Sequence, residues 1–430
     1  GGYRLMDILS ASLLLAGSLA VLAIIGVPIG LALAASGAAY IFITNGVLPV
    51  SGGIMFSALD KTPVLAIPFF IIAAEILSRG GAIKRLVSAV DSLIGHLPGG
   101  LAVVAVVSTI IFSAMCGSSI ATAAAIGVVV LPELIQRGYP QRFSLGLIAM
   151  SGGLGILIPP SIPLIIYGLV SNESIGKLFQ AGIVPGLLFG LLLCAYVVVR
   201  TWTWRETRRV RARFAERRDA LVAATDVLLL PVIILGSIYG GIFTPTEASA
   251  VAVVYALVIT AAEYKRQGVR RFVTVIARGC ITSAAILLVL AGAAVFGYAM
   301  TDSGIPQSLV NWITEQKLAA AGFLLAANIL LIFLGMFLEV ISALLITLPI
   351  FLPLIALMDI DPIHFAIVII INMEIAAVTP PIGLNLFTLS AIGNVTVSEV
   401  FRGTAPFLVL AFFMLGLITY VPEISLVLVN

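Results

Sequence analysis

The sequence predicts an all-α polytopic membrane protein made of two inverted-topology repeats, each carrying a re-entrant helical hairpin and a helix broken at Pro-Pro. Three observations predict it. Of 430 residues, 61% are hydrophobic and 10% are charged, against about 25% charged in soluble domains. Two stretches apolar enough for a bilayer, "GILIPPSIPLIIYG" (155–168) and "AAVTPPIGLNLF" (376–387), contain double prolines, although an interior proline costs a helix about 3 kcal/mol or more. The chain also matches itself in order. A shift of 221 puts Ile111 on Ile332, Phe112 on Phe333, Met115 on Met336, Leu131-Pro132 on Leu352-Pro353 and Pro159-Pro160 on Pro380-Pro381, and a shift of 223 puts Gly81 on Gly304 and Leu86 on Leu309.

Apolar runs at 8–25, 28–44 and 63–78 open the chain. The segment 79–98 is amphipathic and Gly-punctuated, as an interfacial arm would be. Runs 101–115 and 119–136 are shorter than the roughly 20 residues of a full span. They meet at "SAMCGSSIAT" (113–122), with no charge marking an exit to water. That pattern predicts a hairpin whose tip stays at membrane depth; two ordinary spans with a tight turn are the alternative. Run 143–170 contains the first Pro-Pro break, and 182–199 is a span. The second unit follows the same order. Runs 221–240, 246–262 and 280–300 precede an arm at 301–317. A hairpin at 321–337 and 341–358 meets at "GMFLEVISA" (335–343), followed by a broken run at 365–391 and a span at 404–422. The division is 1–200, a basic loop 201–220, and 221–430. Segments 101–170 and 321–391 form one part, and 8–78, 182–262 and 404–422 a scaffold.

One unit counts five full crossings, an odd number, so its second copy runs the opposite way. Inverted repeats with broken helices are the architecture of secondary transporters. The Arg-rich 200–219 loop belongs in the cytoplasm, with 265–271 on the same side. The "SNESIG" turn (171–176) and both termini then fall outside, while Arg4 argues weakly the other way. Met6 is a candidate start, with the preceding "GGYRL" a remnant.

Irregular backbone at membrane depth is tolerated where it is buried in protein or lines a cavity. Each break frees carbonyls for a cation, and the restarting helix offers its positive end to an anion; a simple kink is the plain alternative. Around the first break the candidate cation ligands are Ser113, Ser118, Ser119, Gly155 and Pro159, with Thr122 balanced between ligand and packing. Around the second they are Glu339, Ser342, Thr379 and Gly383. A carboxylate at membrane depth is a functional candidate by default, which singles out Glu339, then Glu374. Ser118, Ser161 and Asn385 are the candidate anion-binding residues, with local capping the alternative for Ser161 and Asn385. "GIFTPTEAS" (241–249) makes Glu247 a helix-start residue.

Several classes are excluded. The net charge of +3 lies in loops and gives no reason to invoke nucleic acid. Cys116, Cys194 and Cys280 have no paired spacing, and His96 and His364 lack the partners of a hydrolase or metal centre. "GGLGIL" lacks the Lys-Ser/Thr of a nucleotide loop. No catalytic constellation marks an enzyme.

Six pieces spanning nearly the whole chain carry a resemblance: "GVPIGLAL", "GSSIATAAAIG", "GILIPPSIPLIIYG", "GIFTPTEASAVAV", "LPIFLPL" and "TPPIGLNLF". In these the chain resembles the large membrane subunit of tripartite ATP-independent periplasmic (TRAP) transporters. The resemblance implies a Na⁺-coupled elevator importer of organic acids in the bacterial inner membrane. It also implies a separate small four-helix membrane subunit (Q type) and a periplasmic substrate-binding protein (P type). The implied cargo is a C4-dicarboxylate or sialic acid. Where that family often has Ser or Thr, this chain has Cys116 and Ile120, so neither is assigned as a ligand. A self-sufficient Na⁺- or H⁺-coupled carboxylate transporter is the nearest alternative. A passive channel would need a continuous lined pore, and the pattern shows hairpins and broken helices instead.

Overall fold

The computed structural model describes residues 8–46, 48–204, 211–316 and 319–429. Residues 1–5 with Arg4, the middle of the basic loop (205–210) and Lys317 of the second arm lie outside the described residues. All regular elements among the described residues are helical. Nine of these helical segments are long and apolar enough to cross a membrane.

The first half opens with α1 (Ile8–Ile24), α2 (Ile29–Asn45) and α3 (Pro49–Leu59). No apolar run announces α3, because Ser51-Gly52-Gly53 interrupts it; Pro49 starts it, Asp60 ends it, and it packs on a later span. A 3-10 turn (Thr62–Leu65) leads into α4 (Ala66–Arg79) and α5 (Ala82–Ile94). Helix α5 buries Ile83, Leu86, Val87 and Val90, the i, i+3, i+4, i+7 stripe of a helix lying on a surface. Then come α6 (Gly100–Cys116), α7 (Ser119–Gln136), α8 (Gln141–Gly152), the single turn α9 (Leu154–Leu157), α10 (Ile162–Ser171) and α11 (Ile175–Thr201). The second half runs through α12 (Phe214–Tyr239), α13 (Pro245–Gln267), α14 (Val269–Asp302), α15 (Ile305–Glu315), α16 (Ala320–Gly335), α17 (Val340–Leu357), α18 (Pro362–Ala377), α19 (Leu384–Gly393), α20 (Val397–Tyr420) and α21 (Glu423–Leu426).

Helices α6 and α7 form a hairpin. Gly117 closes α6 with φ +66°, and Ser118 caps α7. At its open end the Tyr139 hydroxyl donates to the Gly99 carbonyl at 2.9 Å. At that same end Gln141 donates to Gly393 O at 2.8 Å and Arg142 pairs with Glu399. Helix α20 runs from there to the other end, where Tyr420 reaches Ala321 O at 3.4 Å and Tyr167 donates to Pro362 O at 2.6 Å. Ala321 starts α16, so the α16–α17 pair opens at the end opposite to the α6–α7 pair.

Packing gathers the helices around two centres, which meet where α5 lies on α6 and α14 and α15 lie on α17. Helix α14 lies along α2, α3 and α4, α13 lies on α4, and α12 lies on α5. The hairpins and broken helices form the other group. Helices α11 and α20 belong with it by contact: α11 packs on α6, α9, α10 and α18, and α20 on α8, α18 and α19. The sequence places 182–199 and 404–422 in the scaffold; an evenly apolar span shows no preferred face, so its neighbours are not legible from pattern alone. The α8–α20 crossing is set by glycine: a Cβ on Gly146 would lie 2.1 Å from the Gly403 carbonyl, the close approach that small residues permit in membrane helices.

Ion pairs tie α5 to both groups. Arg85 pairs with Asp226 of α12 at 2.5 Å. Asp91, nearly buried, takes a bidentate contact from Arg137 at the end of α7, 3.1 Å on each side, and Arg137 also pairs with Glu133 at 2.6 Å.

Candidate functional site

The first break follows from proline chemistry. Pro159 and Pro160 have no N–H, so the carbonyls of Gly155 and Ile156 lose their helical donors. Ser161 repairs one of these: its hydroxyl donates to Ile156 O at 2.5 Å and accepts from Leu164 N at 3.4 Å. Ile158 is extended, and the 159–160 peptide bond is cis. The Ile162 N–H, which a continuous helix would give to Ile158 O, donates instead to Gly117 O at 3.3 Å. The α6–α7 tip is therefore bonded directly to the restart of α10. A Cβ on Gly117 would stand 2.7 Å from Pro160 O, so only glycine allows this approach.

Oxygen atoms collect under that tip. A Cβ on Gly155 would meet Thr122 Oγ1 at 2.6 Å and Ser118 O at 2.7 Å. Ser113 and Thr122 are fully buried, and their hydroxyls have no hydrogen-bond partner among the described residues. Pro159 is buried in the break. The donors here are neutral hydroxyls and carbonyls, the set that unwound membrane helices present to Na⁺.

The second break repeats the arrangement. Pro380 and Pro381 remove the donors of Ala376 O and Ala377 O; Thr379 N replaces the first at 3.1 Å, and Thr379 Oγ1 donates to Ile375 O at 2.6 Å. The 380–381 bond is cis, and Ile382 N donates to Met336 O of the α16–α17 tip at 3.3 Å. Gly383, at φ +59°, starts α19. Glu339 caps α17: its carboxylate accepts from Ser342 N at 3.4 Å and Ser342 Oγ at 3.5 Å. No hydrogen bond joins the Glu339–Ser342 pair to Ser113, Ser118 or Ser161 among the described residues.

Asn385 couples the halves. Its amide donates to Ser119 Oγ at 2.6 Å and to Ala149 O at 3.3 Å, while its Oδ1 is buried with no partner among the described residues. The sequence gives Ser119 to a cation and Asn385 to an anion; the structure joins them.

Residues 16–424 match the model described as Tripartite ATP-independent periplasmic transporter, DctM component. The chain belongs to the DctM family. The C4-dicarboxylate TRAP transporter large permease protein DctM of Pseudomonas aeruginosa is 40% identical over 380 residues, covering 87% of this chain and 88% of that protein. The sialic acid TRAP transporter large permease protein SiaM of Vibrio cholerae is 35% identical over 411 residues, covering 94% and 95%. The solved YdaH transporter of Alcanivorax borkumensis superposes with a TM-score of 0.59 at 14% identity, covering 85% of this chain and 87% of that one, a likeness of fold alone.

Two polar features of this DctM-family chain go beyond the ligand sets of the sequence reading. Glu374 of α18 is fully buried with neither carboxylate oxygen partnered among the described residues. It lies against the first break, where a Cβ on Gly153 would be 2.2 Å from its Cγ. A lone Glu in an apolar run signals it, but its neighbour lies in the other half. Asn372 donates to Asn328 Oδ1 at 2.8 Å, and Asn328 to Thr419 Oγ1 at 3.0 Å, tying α18, α16 and α20 together. Single polar residues in three apolar runs gave no sign of that network. Glu247 caps α13 in a reciprocal box with Thr244.

Proposed function

We propose that this DctM-family chain is the large permease subunit of a Na⁺-coupled importer of an organic acid anion, working by an elevator motion. The observation that carries the reading is the paired docking of hairpin tips on Pro-Pro breaks: Ile162 N to Gly117 O, and Ile382 N to Met336 O, each at 3.3 Å. Such docking makes each tip and its break one unit, with freed carbonyls beside hydroxyls. The two tips open to opposite ends of the bundle, which supports two inverted repeats with re-entrant hairpins.

One Na⁺ is held between Ser113, Ser118, Ser119 and the 155–159 break, with Thr122 as a further oxygen. A second is held between Glu339, Ser342 and the 379–383 break. The anion binds between the tips, beside Ser118, facing the starts of α10 and α19. Ser161 and Asn385 act there by fixing those helix starts, since the Ser161 hydroxyl and the Asn385 amide are already bonded. No Lys or Arg lies in either break or tip, so helix dipoles and bound Na⁺ supply the positive field. Anion affinity then depends on Na⁺, and by linkage the reverse holds.

The hairpin–break group, including α11 and α20, is the moving body, and α5 and α15 connect it to the scaffold. The protein lies in the bacterial inner membrane with both termini periplasmic. A periplasmic binding protein delivers the anion, a C4-dicarboxylate or sialic acid as for the relatives named above, and a small four-helix subunit widens the scaffold.

Uptake into proteoliposomes tests this. Accumulation should require an inward Na⁺ gradient, the small subunit and the binding protein. Na⁺-driven uptake without the binding protein would support the self-sufficient carrier, and gradient-independent equilibration a channel.

A further inference from the structure

Where α4, α13 and α14 meet, a cavity of about 430 Å³ is lined by Arg79, Gln267, Arg270, Arg271, Thr274 and Arg278, with no carboxylate in its wall. The corner that builds it is fixed by packing. Tyr264 donates to Ile76 O at 2.9 Å and meets Phe272 edge-on at 5.5 Å. Gly279 lets α14 approach Ile72 of α4, which brings Arg79 to the arginines of α14. Positions 270, 274 and 278 share one helix face. Arg79 gives its Nε to Glu75 at 3.1 Å; Arg270, Arg271 and Arg278 form no salt bridge with any described residue. Four guanidinium groups from α4 and α14 are therefore gathered there, faced by Glu75 on Arg79 and by Glu263 within electrostatic reach of Arg271.

Depth identifies what neutralises them. Residues 279–301 of α14 carry no charge. They rise about 34 Å, enough to cross a hydrocarbon core of about 30 Å. Arg278 then stands at the edge of that core, and Arg270 about 12 Å farther out, at headgroup depth. On the core side of Arg278, Ile281 is 69% exposed, an apolar surface for acyl chains. Guanidinium forks match phosphate oxygens, and basic pockets between spans suit anionic headgroups.

We infer that this cavity binds the headgroup of an anionic phospholipid, with phosphate held by Arg270, Arg271 and Arg278 and the acyl chains lying along α14. The inference needs only that α14 spans the membrane, and it holds whatever the cargo is.

The test is to purify the wild-type protein and the Arg270→Gln/Arg271→Gln/Arg278→Gln variant from mixed-lipid vesicles containing phosphatidylcholine, phosphatidylglycerol and cardiolipin. Retained lipid is quantified by native mass spectrometry. Each arginine should contribute roughly fivefold in retained anionic over zwitterionic lipid, so the triple variant should lose the preference. The single variants Arg270→Gln and Arg278→Gln, each removing one charge, should show intermediate losses if the triple variant does not fold. Cardiolipin should raise the melting temperature of wild type, and inorganic phosphate at the same phosphorus concentration should not. Equal lipid preference in wild type and variants would overturn the site. Equal stabilisation by free phosphate would overturn the lipid assignment in favour of a soluble anion.

Discussion

Gly155→Ala is the smallest change that separates tip from break. Its new methyl carbon would stand 2.7 Å from the Ser118 carbonyl oxygen and 2.6 Å from Thr122 Oγ1. The threonine can rotate, but the carbonyl is backbone at the helix start and cannot. Ordinary contact begins near 3.4 Å, so the tip must retreat by about 0.7 Å. Metal sites tolerate shifts of about 0.2 Å in ligand distance, and overpacking costs about 1–3 kcal/mol. Tenfold in affinity is about 1.4 kcal/mol. The expected result is a folded protein whose half-saturating Na⁺ concentration rises by about tenfold or more. The assay is uptake against Na⁺ in proteoliposomes, backed by the Na⁺-dependent rise in melting temperature. Gly416→Ala is the control, since a Cβ there meets nothing within 4 Å. A Gly155→Ala protein that matches both wild type and Gly416→Ala in Na⁺ dependence would refute the docked-tip cation site.

Other substitutions probe the rest of the account. Ser119→Leu and Gly383→Leu should each abolish Na⁺-dependent uptake while leaving expression intact; normal Na⁺ dependence in both would displace the sites. Ser119→Ala leaves the buried Asn385 amide short of a bond of 2.6 Å and should cost about 1–3 kcal/mol. A double-mutant cycle with Asn385→Ala, read by thermal unfolding, should show coupling of about 1 kcal/mol, and additivity would argue against the contact. Arg137→Ala removes the bidentate contact to nearly buried Asp91 and should cost about 1.5–3 kcal/mol. Arg85→Ala breaks a pair whose side chains are 32% and 31% exposed and should cost about 1 kcal/mol; comparable losses in chemical denaturation would count against the burial argument.

Much of this is legible in the sequence. The double prolines announced the breaks because proline removes a donor wherever it sits, and the tips were marked by Ser and Gly between short apolar runs. Capping was legible in the same way: Thr244 and Glu247 form the box that "TPTE" spells. What the sequence could not supply were partners distant in the chain. Asn385 reaches Ser119 from 266 residues away, and Glu374 presses on Gly153 of the other half. Apolar periodicity does not show which neighbours α11 and α20 take, since in lipid both faces of a span are apolar and close crossings rest on glycine contacts such as Gly146 with Gly403. Helix α3 was missed because glycines lower intrinsic propensity, while packing on α14 accompanies its folding.

Movement of the hairpin–break body against the scaffold is the central claim, and one disulfide tests it. A Cβ on Gly297 of α14 would lie 3.3 Å from Cγ of Pro349 of α17, so the two positions touch where the bodies meet. In a background with Cys116, Cys194 and Cys280 replaced by Ser, Gly297→Cys with Pro349→Cys joins the two bodies. The pair Gly80→Cys with Thr260→Cys joins α4 to α13 within the scaffold, where an ideal Gly80 Cβ lies 2.8 Å from Thr260 Cβ, so these helices part by about 0.7 Å to take a bridge. The account predicts that oxidation arrests Na⁺-driven uptake in the first pair, that reduction restores it, and that the second pair transports in both states. Full uptake with the 297–349 bridge demonstrably closed would contradict it.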